Sequence, residues 1–239
     1  MRPVETGVMA AKDMAFRPVA APFWSRLSPR TLKVLLFVVC LVPLARLFVL
    51  GFSHGLGANP IEFVTRSLGT WTLSFLLITL AITPLRRFTG QGQWLRYRRM
   101  LGLFAFFYGM LHLTTYLWLD QFFDWGDILK DIYKRPFITF GMTAFLLLVP
   151  LAVTSNDRSV RALKRNWARL HKLVYPAAIL AVLHYYWLVK LDVTQPVIYA
   201  SVLSLLLGLR VWWWWQKRVP AAKAGNAVAP ALASRGRQG

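Results

Sequence analysis

The residues in this chain most able to bind metal or move protons are four histidines and a single cysteine, and their positions narrow the chemistry. His112 lies in GMLHLTTYLW (109–118) and His184 in LAVLHYYWLV (180–189), both inside apolar runs. An ionisable side chain at membrane depth is costly and implies a partner. Each histidine stands 12 residues beyond the start of its run, Met100 for one and Lys172 for the other, roughly 18 Å along a helix at 1.5 Å per residue. A lone intramembrane histidine can simply hydrogen-bond to a neighbouring helix. Two neutral imidazoles at matched depth on helices running in one direction have a more specific use, the axial ligation of a heme iron, in which the macrocycle supplies four nitrogens and the protein two. One helical turn away, His112 shares its face with Tyr108, Gly109 and Tyr116, and His184 with Leu180, Ala181 and Leu188. Small and flat residues there leave room for a porphyrin edge.

Other metal chemistry fits less well. A closed zinc site takes four Cys, His or carboxylate ligands, and a proton relay takes an intramembrane carboxylate, but no Asp or Glu falls within any predicted span. His171 lies 13 residues before His184, roughly 19.5 Å lower and about 220° round an ideal helix. The two cannot serve one metal centre, and they share a face only if Pro176 bends the segment. His54, in the loop FSHGLGANP, reads as solvated. The single cysteine, Cys40, excludes an internal disulfide and any cysteine-rich zinc or iron–sulfur site, and within VLLFVVCLVPLARLFVL it reads as a small buried apolar residue.

The elements that must position these residues are membrane spans. The chain is 56% hydrophobic and 16% charged, with a mean hydropathy of +0.46, which is the composition of an integral membrane protein. About 20 apolar residues cross a bilayer, and this rule places spans near 33–51, 68–85, 100–118, 137–153, 173–190 and 196–215, separated by GLGANP, TGQG, RPF, TSND and the 192–196 stretch. The fold class is therefore all-α, a polytopic six-transmembrane-helix bundle over 33–215. Residues 1–32 form a cytoplasmic N-terminal segment, and 216–239, rich in Ala, Gly and Pro, an unstructured cytoplasmic tail. Of the 29 Lys and Arg, 22 fall on the side of the N-terminus and five on the other, so both termini are cytoplasmic. The formal charge of +20 is thus a topology signal, and no nucleic-acid partner is expected. WWWW at 212–215, beside Lys217 and Arg218, reads as an interfacial belt.

LITLAITPLRRF (77–88), RYRRMLGLFAFFYGMLHLTTY (96–116), KRPFITFGM (134–142) and RNWARLHKLVYPAAILAVLHYYWLVK (165–190) resemble a known family. It is the heme-binding membrane subunits of the bacterial protein-methionine-sulfoxide reductase system (MsrQ or YedZ type). That family belongs to the ferric-reductase-like transmembrane group, which also includes the NADPH oxidases. The resemblance covers about residues 33–215. It implies a heme b cytochrome of the bacterial inner membrane that acts as an electron-transfer subunit and is not itself the catalytic one. Electrons would come from the quinone pool or a flavin reductase and pass to a periplasmic molybdopterin enzyme that reduces methionine sulfoxide in proteins. FMN accompanies heme in the family's description. The alternative is a self-contained ferric or quinone oxidoreductase of the same transmembrane group, although 239 residues hold no NADPH or FAD domain.

Carried over by position, the family's heme-associated histidines fall on His112, His171 and His184. The wider group keeps a second histidine on the third helix, stacking two hemes; here that position, 14 residues before His112, is Arg98. One heme is expected, and a second on His171 would have no histidine opposite it. Arg98, Arg99, Arg169 and Lys172 gather at the inner mouth, either to pair with heme propionates or flavin phosphate or as positive-inside charge alone. Arg46, in the outer half of the first span, needs an anion, such as a heme propionate, or a route to water by snorkelling. The outer loop LDQFFDWGDILKDIYKRP (119–136) has two readings, a docking patch for the periplasmic partner and an amphipathic helix lying on the membrane.

Overall fold

Capping residues and proline set the helix ends. In the computed structural model, residues 28–189 and 191–218 are described. The expected N-terminal segment up to residue 27 and the tail beyond 218 lie outside them. The described residues form nine α-helices in order: α1 (Pro29–Phe52), α2 (Pro60–Thr89), α3 (Leu95–Thr114), α4 (Trp125–Lys134), α5 (Pro136–Val153), α6 (Asp157–Leu163), α7 (Arg165–Leu170), α8 (Val174–Leu188) and α9 (Thr194–Arg218). The part of α1 up to Val39 forms one unit, and the chain from Cys40 onward another.

α2 starts eight residues before its predicted span. Asn59 accepts a hydrogen bond from the Glu62 N–H at 3.2 Å, Pro60 fills the first turn, and Gly90 closes the far end with φ 69°. Hydropathy alone misses these polar first turns, which run out as helix with an exposed Glu62–Arg66 pair at 2.6 Å. α3 continues into a π-helical turn over Thr115–Asp120. The loop after it contains a further helix, α4, capped by Asp124.

Among the described residues, five helices are long and apolar enough to cross a membrane: α1, α2, α3 with its extension, α5 and α9. The fifth expected span, 173–190, is shorter than predicted. α8 has 15 residues, about 22 Å of helix, because His171–Leu173 winds as a tight 3₁₀ turn and Val189 is extended. That turn takes the place of a bend at Pro176, so an ideal-helix angle between His171 and His184 does not apply.

α2 lies in the core, with Leu68, Leu73, Phe75, Leu76, Leu77 and Leu80 all buried. Its heaviest packing is against α3, and α5 packs in the same way against α8. Phe75 stacks on Tyr108 with centroids 5.2 Å apart, and Phe106 on Phe145 at 5.5 Å joins α3 to α5. The outward faces carry Phe48, Leu205 and Val211 at 60 to 63% exposure, an apolar surface that suits lipid better than water.

Apart from the Thr65 hydroxyl and the Trp94 indole N–H, buried side-chain polar groups among the described residues are satisfied internally, as a bilayer requires. Hydroxyls of Thr72, Ser74 and Thr79 donate to carbonyls one turn back, and Ser74 also bonds the Tyr199 hydroxyl at 2.8 Å, tying α2 to α9. The Arg210 guanidinium, on α9, donates to the Leu206 carbonyl at 2.6 Å and to the Leu80 carbonyl of α2. The fully buried Tyr108 hydroxyl donates to the Cys40 carbonyl at 2.8 Å and accepts the Leu44 N–H at 3.2 Å. Those two α1 groups are each other's i→i−4 partners in a regular helix. The hydroxyl bonds both groups beside Pro43, which supplies no N–H of its own. Tyr108→Phe is expected to cost about 1–2 kcal/mol, read as a lower midpoint of thermal unfolding in detergent.

Candidate functional site

α3 and α8 bring two imidazoles together. The His112 and His184 rings lie 6.1 Å apart, centroid to centroid, with planes at 71°. Neither ring rests on its own helix alone. His112 Nδ1 is 2.8 Å from the Thr65 carbonyl oxygen of α2, and His184 Nδ1 is 2.6 Å from the Phe137 carbonyl oxygen of α5. A carbonyl oxygen only accepts, so Nδ1 carries the proton in both rings and each Nε2 keeps its lone pair. Neither Nε2 has a hydrogen-bond partner within the described residues.

Glycines admit the rings. A Cβ on Gly69 would stand 3.0 Å from His112 Cε1, and one on Gly141 would stand 2.7 Å from His184 Nδ1. The Thr65 hydroxyl oxygen beside this site is buried and makes no hydrogen bond. Phe137 adds a ring 6.3 Å from that of His184.

Two neutral imidazoles with free lone pairs form an incomplete ligand set for most ions. No group of three or more His, Cys, Asp or Glu gathers among the described residues, so the protein offers a metal two ligands here. Such a pair suits a metal whose other positions are filled by something else. Two nitrogen–metal bonds of about 2 Å each, added to the two ring radii, span close to the observed 6.1 Å. The residues therefore fit a metallomacrocycle held from both faces.

The remaining candidates lie elsewhere. The His171 ring packs edge-on against Trp167 at 3.9 Å, and Trp167 is anchored by its indole N–H to the Thr154 carbonyl at 3.0 Å. Burial, and then the Arg98 charge, push the His171 imidazolium below its usual range. Arg98 thus lies within electrostatic reach of His171, and Arg99 pairs with Asp157 at 2.9 Å. Arg46 has no carboxylate partner among the described residues. The Tyr108 bond at Leu44 brings this part of α1 alongside α3, one turn before His112. His54 is exposed in a turn with φ 54°. On α4, Trp125, Leu129 and Tyr133 form an exposed stripe one turn apart, at 62, 66 and 88%, while Ile128 faces inward. Reading by residue type missed the Thr65 and Phe137 carbonyls and the two glycines, since every residue has a carbonyl and a glycine in an apolar helix reads as packing.

Comparison with known proteins agrees with this architecture. Residues 68–182 match the ferric reductase like transmembrane component, a stretch that includes His112 and His171 and ends two residues before His184. A relative in Xanthomonas campestris pv. campestris (strain 8004), named protein-methionine-sulfoxide reductase heme-binding subunit MsrQ, is 59% identical over 166 residues, 70% of this chain and 76% of its own. Relatives of the same name in Herminiimonas arsenicoxydans and Bordetella pertussis are 54% identical over 191 residues (78% of this chain, 87% of theirs) and 53% over 201 (83% and 97%).

The Arg99–Asp157 pair is exposed, with 42% and 76% of its side chains accessible, and such pairs contribute 1 kcal/mol or less. Asp157→Ala is expected to leave the unfolding midpoint within about 2 °C of the parent. With this helical bundle and these relatives, the chain belongs to the MsrQ family of the ferric-reductase-like transmembrane group.

Proposed function

We propose that the chain is a heme b-binding membrane subunit that carries electrons across the bacterial inner membrane to a periplasmic molybdopterin methionine-sulfoxide reductase, which repairs oxidised proteins. The observation that carries this reading is the His112–His184 pair at 6.1 Å, with both Nδ1–H groups committed to carbonyls. The relatives' name, heme-binding subunit, supports it. Bound heme supplies a one-electron iron couple inside apolar walls.

The chain's own residues do the rest. His112 and His184 hold the iron through Nε2, and the Thr65 and Phe137 carbonyls fix their tautomer and ring orientation. Phe137, Tyr108 and the leucines of α2 keep water out. Arg46 faces a propionate on the outer side, and Arg98 and Arg99 with Arg169 and Lys172 meet anionic groups, propionate or the phosphate of an FMN, at the inner mouth. His171, beside Arg98, takes no part in the outer pair. Quinone or a cytoplasmic flavin reductase is the donor. Each sulfoxide reduced takes two electrons and two protons, and its oxygen leaves as water. The 22-to-5 split of basic residues supports an orientation with both termini cytoplasmic and α4 periplasmic. In this orientation 33–215 is a six-helix domain with α8 as the short fifth span.

The Trp125–Leu129–Tyr133 stripe is the docking surface for the periplasmic enzyme. Purified protein from heme-replete cells should show Soret, alpha and beta bands of bis-imidazole heme; a colourless preparation would refute the function. His112→Ala and His184→Ala should each remove most of the heme while His171→Ala does not, and equal loss from all three would refute the ligand assignment. Leu129→Ala with Tyr133→Ala should slow electron delivery to the reductase with an unchanged heme spectrum; unchanged delivery would leave the stripe to the lipid.

A further inference from the structure

The two halves of the site repeat each other. From Thr65 to His112 and from Phe137 to His184 the separation is 47 residues in both cases. In both, the glycine that admits the ring comes four residues after the carbonyl, Gly69 in one half and Gly141 in the other. Thr65 to Phe137, Gly69 to Gly141 and His112 to His184 are thus displaced by one common interval. The same interval relates Ala105 to Ala177, both wholly buried, and Leu111 to Leu183 next to the histidines. LLITLAIT (76–83) on α2 and LLVPLAVT (147–154) at the end of α5 are alike at an interval one residue shorter. The helices agree as well, since α2 packs chiefly on α3 and α5 on α8.

We infer that Gly69 and Gly141 are positioning residues for the two imidazoles, matched parts of two copies of one helix-pair unit. The physical reason lies in helix geometry. The carbonyl of residue i already accepts the N–H of residue i+4 and has a second lone pair to offer. Side chains lean toward the helix N-terminus, so the side chain at i+4 overlies that turn. A glycine at i+4 uncovers the carbonyl sideways, and a neighbouring helix can then aim an imidazole Nδ1–H at it. Any larger residue would push the ring off the carbonyl, freeing it to rotate and to change tautomer. Glycine as a mere close-packing device makes a different demand. Gly102, also on the α2–α3 interface, meets Thr79 Cγ2 at an ordinary 3.6 Å, and Gly208 meets nothing within 4 Å.

The inference rests on the reading of His112 and His184 as heme ligands only for its second readout. In heme-free, full-length protein labelled with ¹⁵N-histidine, wild type should show both rings as Nδ1–H tautomers. Gly141→Ala should displace the His184 signals alone and Gly69→Ala the His112 signals alone, with Gly102→Ala and Gly208→Ala moving neither. In heme-loaded protein the same two variants should shift the low-spin electron paramagnetic resonance signals and the midpoint potential. The heme affinity of Gly141→Ala, where the new methyl intrudes furthest, should fall about 10-fold or more. Folded Gly69→Ala and Gly141→Ala proteins with wild-type histidine signals would overturn the inference. If Gly141→Ala does not fold, the less crowded Gly69→Ala decides it by the same signals. A colourless wild type would remove the heme reading and leave the histidine readout standing.

Discussion

An imidazole in an apolar bundle must give up one ring nitrogen to a protein acceptor, and here the acceptors are backbone carbonyls already serving a helix. The Thr65 and Phe137 carbonyls accept the ring N–H groups at 2.8 and 2.6 Å. Each bond fixes a tautomer, and that tautomer leaves Nε2 with its lone pair free. Much of the fold serves this arrangement. α2 must lie against α3 and α5 against α8 closely enough for a ring to reach across, and small residues at the contact permit it.

The same constraint explains the rest of the polar interior. Without water, hydroxyls turn back to carbonyls on their own helix, Arg210 is held by carbonyls of two helices, and Tyr108 bonds two backbone groups of α1. These bonds cross between helices at several levels of the bundle. Helix association in lipid lacks the hydrophobic drive available in water, so such contacts and close packing between helices matter more.

The basic end of the bundle is organised differently. There Arg98 lies within electrostatic reach of His171, Trp167 packs on the His171 ring, and Arg99 makes an exposed ion pair. The region near His112 thus offers uncharged ring nitrogen, and the opposite end is rich in cations.

Residue type and spacing in the sequence determined the membrane class, the orientation bias from lysine and arginine, and the two histidines at one depth. Those features follow from transfer free energy and a fixed rise per residue, both local properties of a chain. Helix ends were legible less well, because the Asn59 cap carries α2 beyond its apolar run, Asp124 starts a further helix in the loop after α3, and the 3₁₀ turn at His171 shortens α8. Only the tertiary structure decided which carbonyl holds each ring, which glycines make room, and that Tyr108 bonds α1. A backbone carbonyl has no signature in sequence and a glycine has many uses, so their roles exist only once a neighbouring helix is set against them.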